Sequence, residues 1–131
     1  MLKFFKKNKE EKPSLQSNGT TASTGAFYPL VVKEVRRETK DAVSVAFELN
    51  DEQRSVFRYT PGQYLTFRAA INGEEVRRSY SICAAPHEGE LRVAIKEIEG
   101  GKFSTYANRT LKAGDTLESM APAGNFAWNH E

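Results

Sequence analysis

The chain has 131 residues and a formal net charge of +2, enough for one modest domain and too evenly charged for a dedicated nucleic-acid binder. Its single cysteine, Cys83, excludes an intrachain disulfide and any all-cysteine metal or iron–sulfur site held by this chain alone. No apolar run is long enough to cross a bilayer, and a lone thiol fits a reducing compartment, so the cytoplasm is expected.

Residues 1–26 read as a flexible polar and basic leader outside the fold. Lysines open it, no apolar stretch of signal-peptide length follows, and it becomes rich in Ser, Thr and Gly. Phe4 and Phe5 among those lysines offer too small an apolar face to hold a membrane. The folded domain is expected over residues 27–131. "FYPLVVKEVRR" is rich in β-branched and aromatic residues and predicts a first strand. A tight connection at Lys40-Asp41 leads to "AVSVAFELN", where Val43, Val45, Phe47 and Leu49 alternate onto one face. The polar "DEQRSVF" has room for one helical turn.

Pro61-Gly62 suits the centre of a type II turn, because Pro presets φ and Gly accepts a positive one. Leu65 and Phe67 share a face of the next strand, and Asn72-Gly73 predicts a hairpin into another. That other strand, "EEVRRSYSIC", puts Val76, Arg78, Tyr80 and Ile82 in phase on one face. An arginine buried there is costly unless an anion or a carboxylate meets it. "ELRVAIKEIE" predicts a further strand with Leu91, Val93 and Ile95 inward. After Gly100-Gly101 the period changes, and Phe103, Ala107 and Leu111 recur at helical spacing until Ala113-Gly114-Asp115 ends the helix. "DTLESMAPAG" supplies a last strand. The fold expected is all-β: a six-stranded antiparallel Greek-key barrel with one capping α-helix, since closure hides strand edges.

Three stretches stand out: Arg78-Ser79-Tyr80-Ser81, Gly100-Gly101-Lys102-Phe103-Ser104 at a helix start, and Pro122-Ala123-Gly124-Asn125-Phe126 near the end. Gly100-Gly101 lets backbone approach a ligand, and the helix it opens presents free N–H groups, a positive dipole end and the Ser104 hydroxyl. Alone, that pattern is more often an ordinary glycine turn. Arg78 meeting the helix start at one rim would suit phosphate or pyrophosphate, and Tyr80 could lie flat on a planar ring. The alternative is an Arg78–Glu pair with Tyr80 as a packed cross-strand aromatic. Ser81 faces the other side of an ideal strand and needs a local bend to share the site. Lys96 and Lys102 are either solvated or close to phosphate. Cys83 reads as a packed thiol, Trp128 as a packing or interdomain residue, and His87 and His130 lack partners spaced for catalysis, so no metal site is expected.

Taken in order and spacing, "TPGQYLTF", Arg78-Ser79-Tyr80-Ser81, "GGKFS" and "PAGNF" resemble the flavin-binding domain of the ferredoxin–NADP reductase superfamily. Notably similar are the reductase components of bacterial oxygenases, such as phenylacetyl-CoA epoxidase reductases. The resemblance runs over residues 27–126. It implies that Arg78 holds a flavin phosphate and that Tyr80 stacks on the isoalloxazine. It assigns Ser81 a catalytic hydrogen bond near flavin N5, the atom that receives hydride. The backbone through Ala94, Ile95 and Lys96 is implied to line the ribityl and pyrophosphate path, with Gly101, Lys102, Phe103 and Ser104 cradling pyrophosphate. FAD is favoured over FMN, because a pyrophosphate would use both Arg78 and the helix end.

The resemblance further implies an NAD(P)H-dependent reductase that passes electrons to an iron–sulfur centre or an oxygenase component. NAD(P)H and [2Fe–2S] would be met through a nicotinamide-binding domain and a ferredoxin-type domain. These residues contain no G-x-G-x-x-G run and no four-cysteine cluster. The expectation is therefore a flavin domain of a longer reductase, inactive with NAD(P)H by itself. One alternative is the flavin domain of another reductase class, flavohaemoglobin-like or siderophore-reducing. The other is a non-enzymatic barrel binding single-stranded nucleic acid through Tyr80, Phe103 and basic residues, against which the dispersed Glu and Asp weigh.

Overall fold

The computed structural model describes residues 25–84 and 89–124. The elements in chain order are β1 (Tyr28–Thr39), β2 (Ala42–Glu48), α1 (Asp51–Val56), β3 (Tyr64–Ile71), β4 (Glu74–Ser81), β5 (Leu91–Lys96), α2 (Lys102–Arg109) and β6 (Thr116–Ser119). The expected leader lies outside the described residues except for Gly25 and Ala26, as do His87, Trp128, His130 and the end of "PAGNF".

Alternation builds the sheet. Leu65, Phe67, Ala69 and Ile71 of β3 are buried while the residues between them are not, and β5 buries Leu91, Val93 and Ile95 on the same side. Leu30, Val32, Val43, Val45, Phe47 and Leu117 complete the strands' share of the core. The turns follow their residues. Asn72 and Gly73 both have positive φ (54° and 81°), the type I′ geometry that matches strand twist in the β3–β4 hairpin. Gly62 has φ 94° in a turn closed by Gln63 N–H to Thr60 C=O (3.2 Å), as type II requires. The polar stretch after Asn50 becomes α1, started by a capping box between Asn50 and Gln53.

All neighbours pair antiparallel in the order β4-β3-β6-β1-β2-β5. The sheet curls until its end strands touch: Ile82 bridges Val93, and the Cys83 N–H donates to the Arg92 carbonyl (2.8 Å). β3, β4 and β5 thus follow one another and β6 returns beside β3, a Greek-key connection. The expected barrel is present in this curled form, but its ring joins only there. Over the described residues no ladder links the rest of β4 to β5, which leaves a gap in the pairing between the two edges. α2 packs against both edge strands and against β2 and β3, sending Phe103, Tyr106 and Ala107 into the core.

Candidate functional site

The gap between β4 and β5, with the start of α2, collects the residues singled out in the sequence. On the inward face of β4, Glu74, Val76, Arg78 and Tyr80 succeed one another, opposite Ile71, Ala69, Phe67 and Leu65 of β3. Glu74 forms an ion pair with Lys102, the first residue of α2. Tyr80 packs its ring 5.7 Å from that of Phe103, the second residue. Arg78 lies between those two contacts, so it stands beside the first turn of α2.

Arg78 corrects the expectation of a buried arginine. It is in phase with Val76 but exposed, because β4 is an edge strand and its inward face looks into the gap at that level. Its Nη1 donates to the Arg77 carbonyl (2.6 Å), and among the described residues no carboxylate pairs with it. Tyr80 is half-buried, and burial pushes its phenol up while Arg78 pulls it partly back. The hydroxyl therefore stays protonated at neutral pH.

The helix start is shaped by its glycines. Gly100 turns the chain with φ 79°, and the Gly101 N–H closes the turn on the Ile98 carbonyl (2.8 Å). A Cβ on Gly101 would sit 2.7 Å from Ser104 Oγ and 3.0 Å from the Ile98 oxygen, so any larger residue would force the turn or Ser104 to shift. Backbone N–H groups of the first turn have no acceptor within a helix. α1 answers its own positive end with Asp51 and Glu52, whereas α2 has no acidic residue in its first turn.

Two side chains differ from their expected roles. The Ser104 hydroxyl turns inward, accepts the Ile98 N–H (3.0 Å) and is buried. The Phe103 ring is fully buried, stacked 5.8 Å from Phe67. At both positions only the backbone N–H remains for a ligand. Beside Gly100, Gly101 and Lys102 runs an open groove of about 370 Å³, bounded by Asn72 and Arg109.

β5 forms the far wall. Because the Arg92 carbonyl points to β4, antiparallel alternation aims the backbone groups of Ala94 and Lys96 the same way, into the gap. Both residues are exposed, while the Ile95 side chain belongs to the core. Ser81 ends β4, exposed and opposite Tyr64. There the chain changes partner: the Ile82 N–H still reaches the Gln63 carbonyl (3.0 Å), but that of Cys83 reaches Arg92. The local bend that Ser81 needs falls at this switch. Cys83 is exposed, which corrects its reading as a packed thiol, although partial burial still raises its pKa.

The buried arginine of the fold is Arg92, on the outer face of β5. It donates to Glu34 (2.5 Å), Glu90 (2.7 Å) and the Ser44 hydroxyl (2.7 Å), which in turn donates to Glu38 (2.6 Å). Two further residues escape sequence reasoning: Asn108, buried within α2, and Arg37 of β1, which holds it through Nη1 to Oδ1 (3.0 Å) and Nη2 to the carbonyl (2.6 Å). The only available signal was an amide side chain in the last turn of the helix, on the face it shares with Ser104 and Phe103.

Among the described residues no group of His, Cys, Asp and Glu is arranged to hold a metal ion, and no helix is long and apolar enough to cross a membrane. A family model described as "Oxidoreductase FAD-binding domain" matches residues 29–128. One of the subunits of 1,2-phenylacetyl-CoA epoxidase from Escherichia coli is 46% identical over 102 residues, covering 78% of this chain and 29% of that protein. A flavohemoprotein from Candida albicans is 38% identical over 106 residues, covering 79% and 27%. A ferredoxin NADP+ reductase from Neisseria gonorrhoeae, solved with bound FAD and NADP, shares the fold at a TM-score of 0.64 and 19% identity, over 77% of this chain and 39% of that one. The chain therefore spans less than a third of the length of the epoxidase subunit and of the flavohemoprotein.

Proposed function

The chain belongs to the oxidoreductase FAD-binding domain family, within the ferredoxin–NADP reductase-like superfamily, and from that premise we propose that it is the flavin-carrying domain of an NAD(P)H-dependent electron-transfer reductase. One observation carries the reading: Arg78, without a carboxylate, stands beside the first turn of α2 on the rim of the β4–β5 gap. A guanidinium and a helix N-terminus at one place suit a phosphate, and two such elements suit a pyrophosphate.

The residues present fit FAD. Arg78 and the N–H groups of Lys102, Phe103 and Ser104 would hold its phosphates, and Gly101 lets the turn pack tightly on Ile98 and Ser104 behind them. Tyr80 would offer its ring face to the isoalloxazine. The backbone groups of Ala94 and Lys96 would line the ribityl side, while Ile95 between them turns its side chain to the core and its carbonyl to Asn108. Ser81 would donate its hydroxyl at the ring's polar edge, near N5. Lys102 is shared with Glu74 and adds positive charge. The cofactor supplies redox chemistry between a two-electron donor and one-electron acceptors, and this chain supplies position and electrostatics.

In the complete reductase, a nicotinamide-binding domain would present NAD(P)H, and an iron–sulfur centre or oxygenase component would take the electrons. The match to an epoxidase subunit supports the oxygenase partner. The match to a flavohemoprotein supports a haem-linked reductase as a second reading. A free and exposed Cys83 supports a reducing, cytoplasmic setting.

Titration of the chain with FAD, read by flavin fluorescence, tests the proposal. Saturable binding is expected, weakened in Arg78→Ala by roughly one to two decades, the worth of a charge-assisted bond. Equal affinity in variant and parent overturns the phosphate role. A second measurement addresses activity: the isolated chain, loaded with FAD, should oxidise NAD(P)H only at background rate. Holding the nicotinamide in place supplies roughly 7–11 kcal/mol of the barrier, and no nucleotide-binding unit for it occurs in these residues. Turnover equal to that of a complete multidomain relative would overturn this.

A further inference from the structure

We propose that Asn108, together with Arg37, is a positioning pair that fixes the first turn of α2 against β5 and thereby sets the width of the pyrophosphate cradle. The inference rests on the flavin reading above.

Asn108 is polar, inside a helix and only 6% exposed. Its Nδ2 donates to the Ser104 carbonyl in the first turn of α2 (3.0 Å) and to the Ile95 carbonyl on β5 (3.1 Å). Its Oδ1 and main-chain carbonyl accept the two arms of Arg37. One side chain thus joins α2, β5 and β1. Ser104 and Ile95 belong to α2 and β5, the two elements between which the phosphates would sit, and Asn108 holds both directly through their carbonyls. Arg37 also places a cation at the carbonyl end of α2, where the helix dipole favours it.

Local preference argues against this residue. Asparagine is a modest helix former, and a bond back to the carbonyl four residues earlier competes with the helix ladder. Alanine or leucine would suit the buried face better if packing were its whole task. The Ser104 hydroxyl, tied to the Ile98 N–H, fixes the loop before the helix in the same way. The turn that would meet the phosphates is therefore fastened from behind on both sides.

Because the pair acts on the helix end and not on Arg78, it should separate FAD from FMN. FMN carries one phosphate, which Arg78 can hold, whereas the pyrophosphate of FAD needs the helix end as well. The experiment is titration of the parent chain, Asn108→Ala, Arg37→Gln and Arg37→Lys with FAD and with FMN, alongside thermal unfolding. The parent should prefer FAD. Asn108→Ala should lose about tenfold in FAD affinity, the factor one hydrogen bond commands, with FMN affinity unchanged. Arg37→Gln should show the same split more weakly, and Arg37→Lys should recover most of it.

Equal losses for both flavins, or unchanged FAD affinity in the variants, overturn the proposal, as does a parent without preference for FAD. If Asn108→Ala does not fold, the exposed Arg37 variants decide. A parent that binds neither flavin overturns the flavin reading and this inference with it. A parent that binds FAD beside indifferent variants overturns the positioning role alone.

Discussion

Arg92 and Arg78 stand on the two edge strands that face each other across the gap, and their surroundings are opposite. Arg92 is buried on the outer face, with Glu34, Glu90 and Ser44 occupying its donors. Arg78 is exposed on the inner face, with its own neighbour's carbonyl as the partner nearest at hand. A guanidinium saturated by carboxylates has nothing left for a ligand, while one held clear of them keeps its fork open. The first arginine fastens three strands, and the second, on the proposal above, would serve a phosphate. Side-chain type is the same; the supply of carboxylates differs.

The comparison can be broken by experiment, most forcefully at Arg92. Arg92→Ala leaves Glu34 and Glu90 facing a vacated, largely buried site. It should lower unfolding free energy by about 3 kcal/mol, the low end for breaking a buried pair, because both glutamates keep contact with water. Urea denaturation measures this, and FAD affinity of the folded fraction should stay within about threefold of the parent's, less than one lost hydrogen bond would change it. A stable Arg92→Ala would mean that the network is ornamental.

The cradle itself comes next. Gly101→Ala forces a Cβ against Ser104 Oγ and the Ile98 oxygen, and overpacking of that kind costs about 1–3 kcal/mol. Here stability and FAD affinity should fall together, since the same backbone serves both. A variant with parental stability and affinity would show that the loop before α2 yields freely.

Arg78→Ala sharpens the contrast from the other side. It should leave stability within about 0.5 kcal/mol, as for surface positions without buried partners, while flavin affinity drops. A large loss of stability would place Arg78 in the same class as Arg92.

The smallest effect lies at acid pH. The hydrogen bond from Arg92 holds Glu90 below the usual carboxylate range, and Ser44, then Arg36, do the same for Glu38. A folded-state pKa below the unfolded one adds stability above the unfolded value, and this is lost as pH falls through the folded value. Stability should therefore decline on acidification below the ordinary carboxylate pKa of about 4.3. In Arg92→Gln that decline should be shallower, and a parallel decline would remove Arg92 from the acid response.

The strands and both hairpin-type turns were legible from local pattern, because alternation and Asn72-Gly73 act over a few residues; the late helix was legible in its start, from the change of period after Gly101, but it ends at Arg109, before the stop expected at Ala113-Gly114-Asp115. The two arginines were not. Arg78 falls in phase with Val76 and Tyr80, so its sequence reads as buried; its exposure depends on β4 being an edge beside a gap, which is a property of the whole sheet. Arg92 is out of phase with Leu91 and Val93, so it reads as solvent-facing; Glu34, Ser44 and Glu90 cover it from β1, β2 and the start of β5's own segment. Asn108 was missed for the same reason, since its partners lie on β1 and β5. The site's members were visible as a motif, but which atoms each can offer was decided by packing, as Phe103 and Ser104 illustrate.

The gap also bears on how this chain behaves among copies of itself. Two strand edges that do not pair along their length carry rows of unsatisfied backbone groups, the template on which a neighbouring molecule could add a strand. Arg78 at one edge and Lys96 at the other set positive charges where such a strand would have to lie. An added strand would therefore have to accommodate both cations, and charge at an open edge is one of the means by which such pairing is disfavoured.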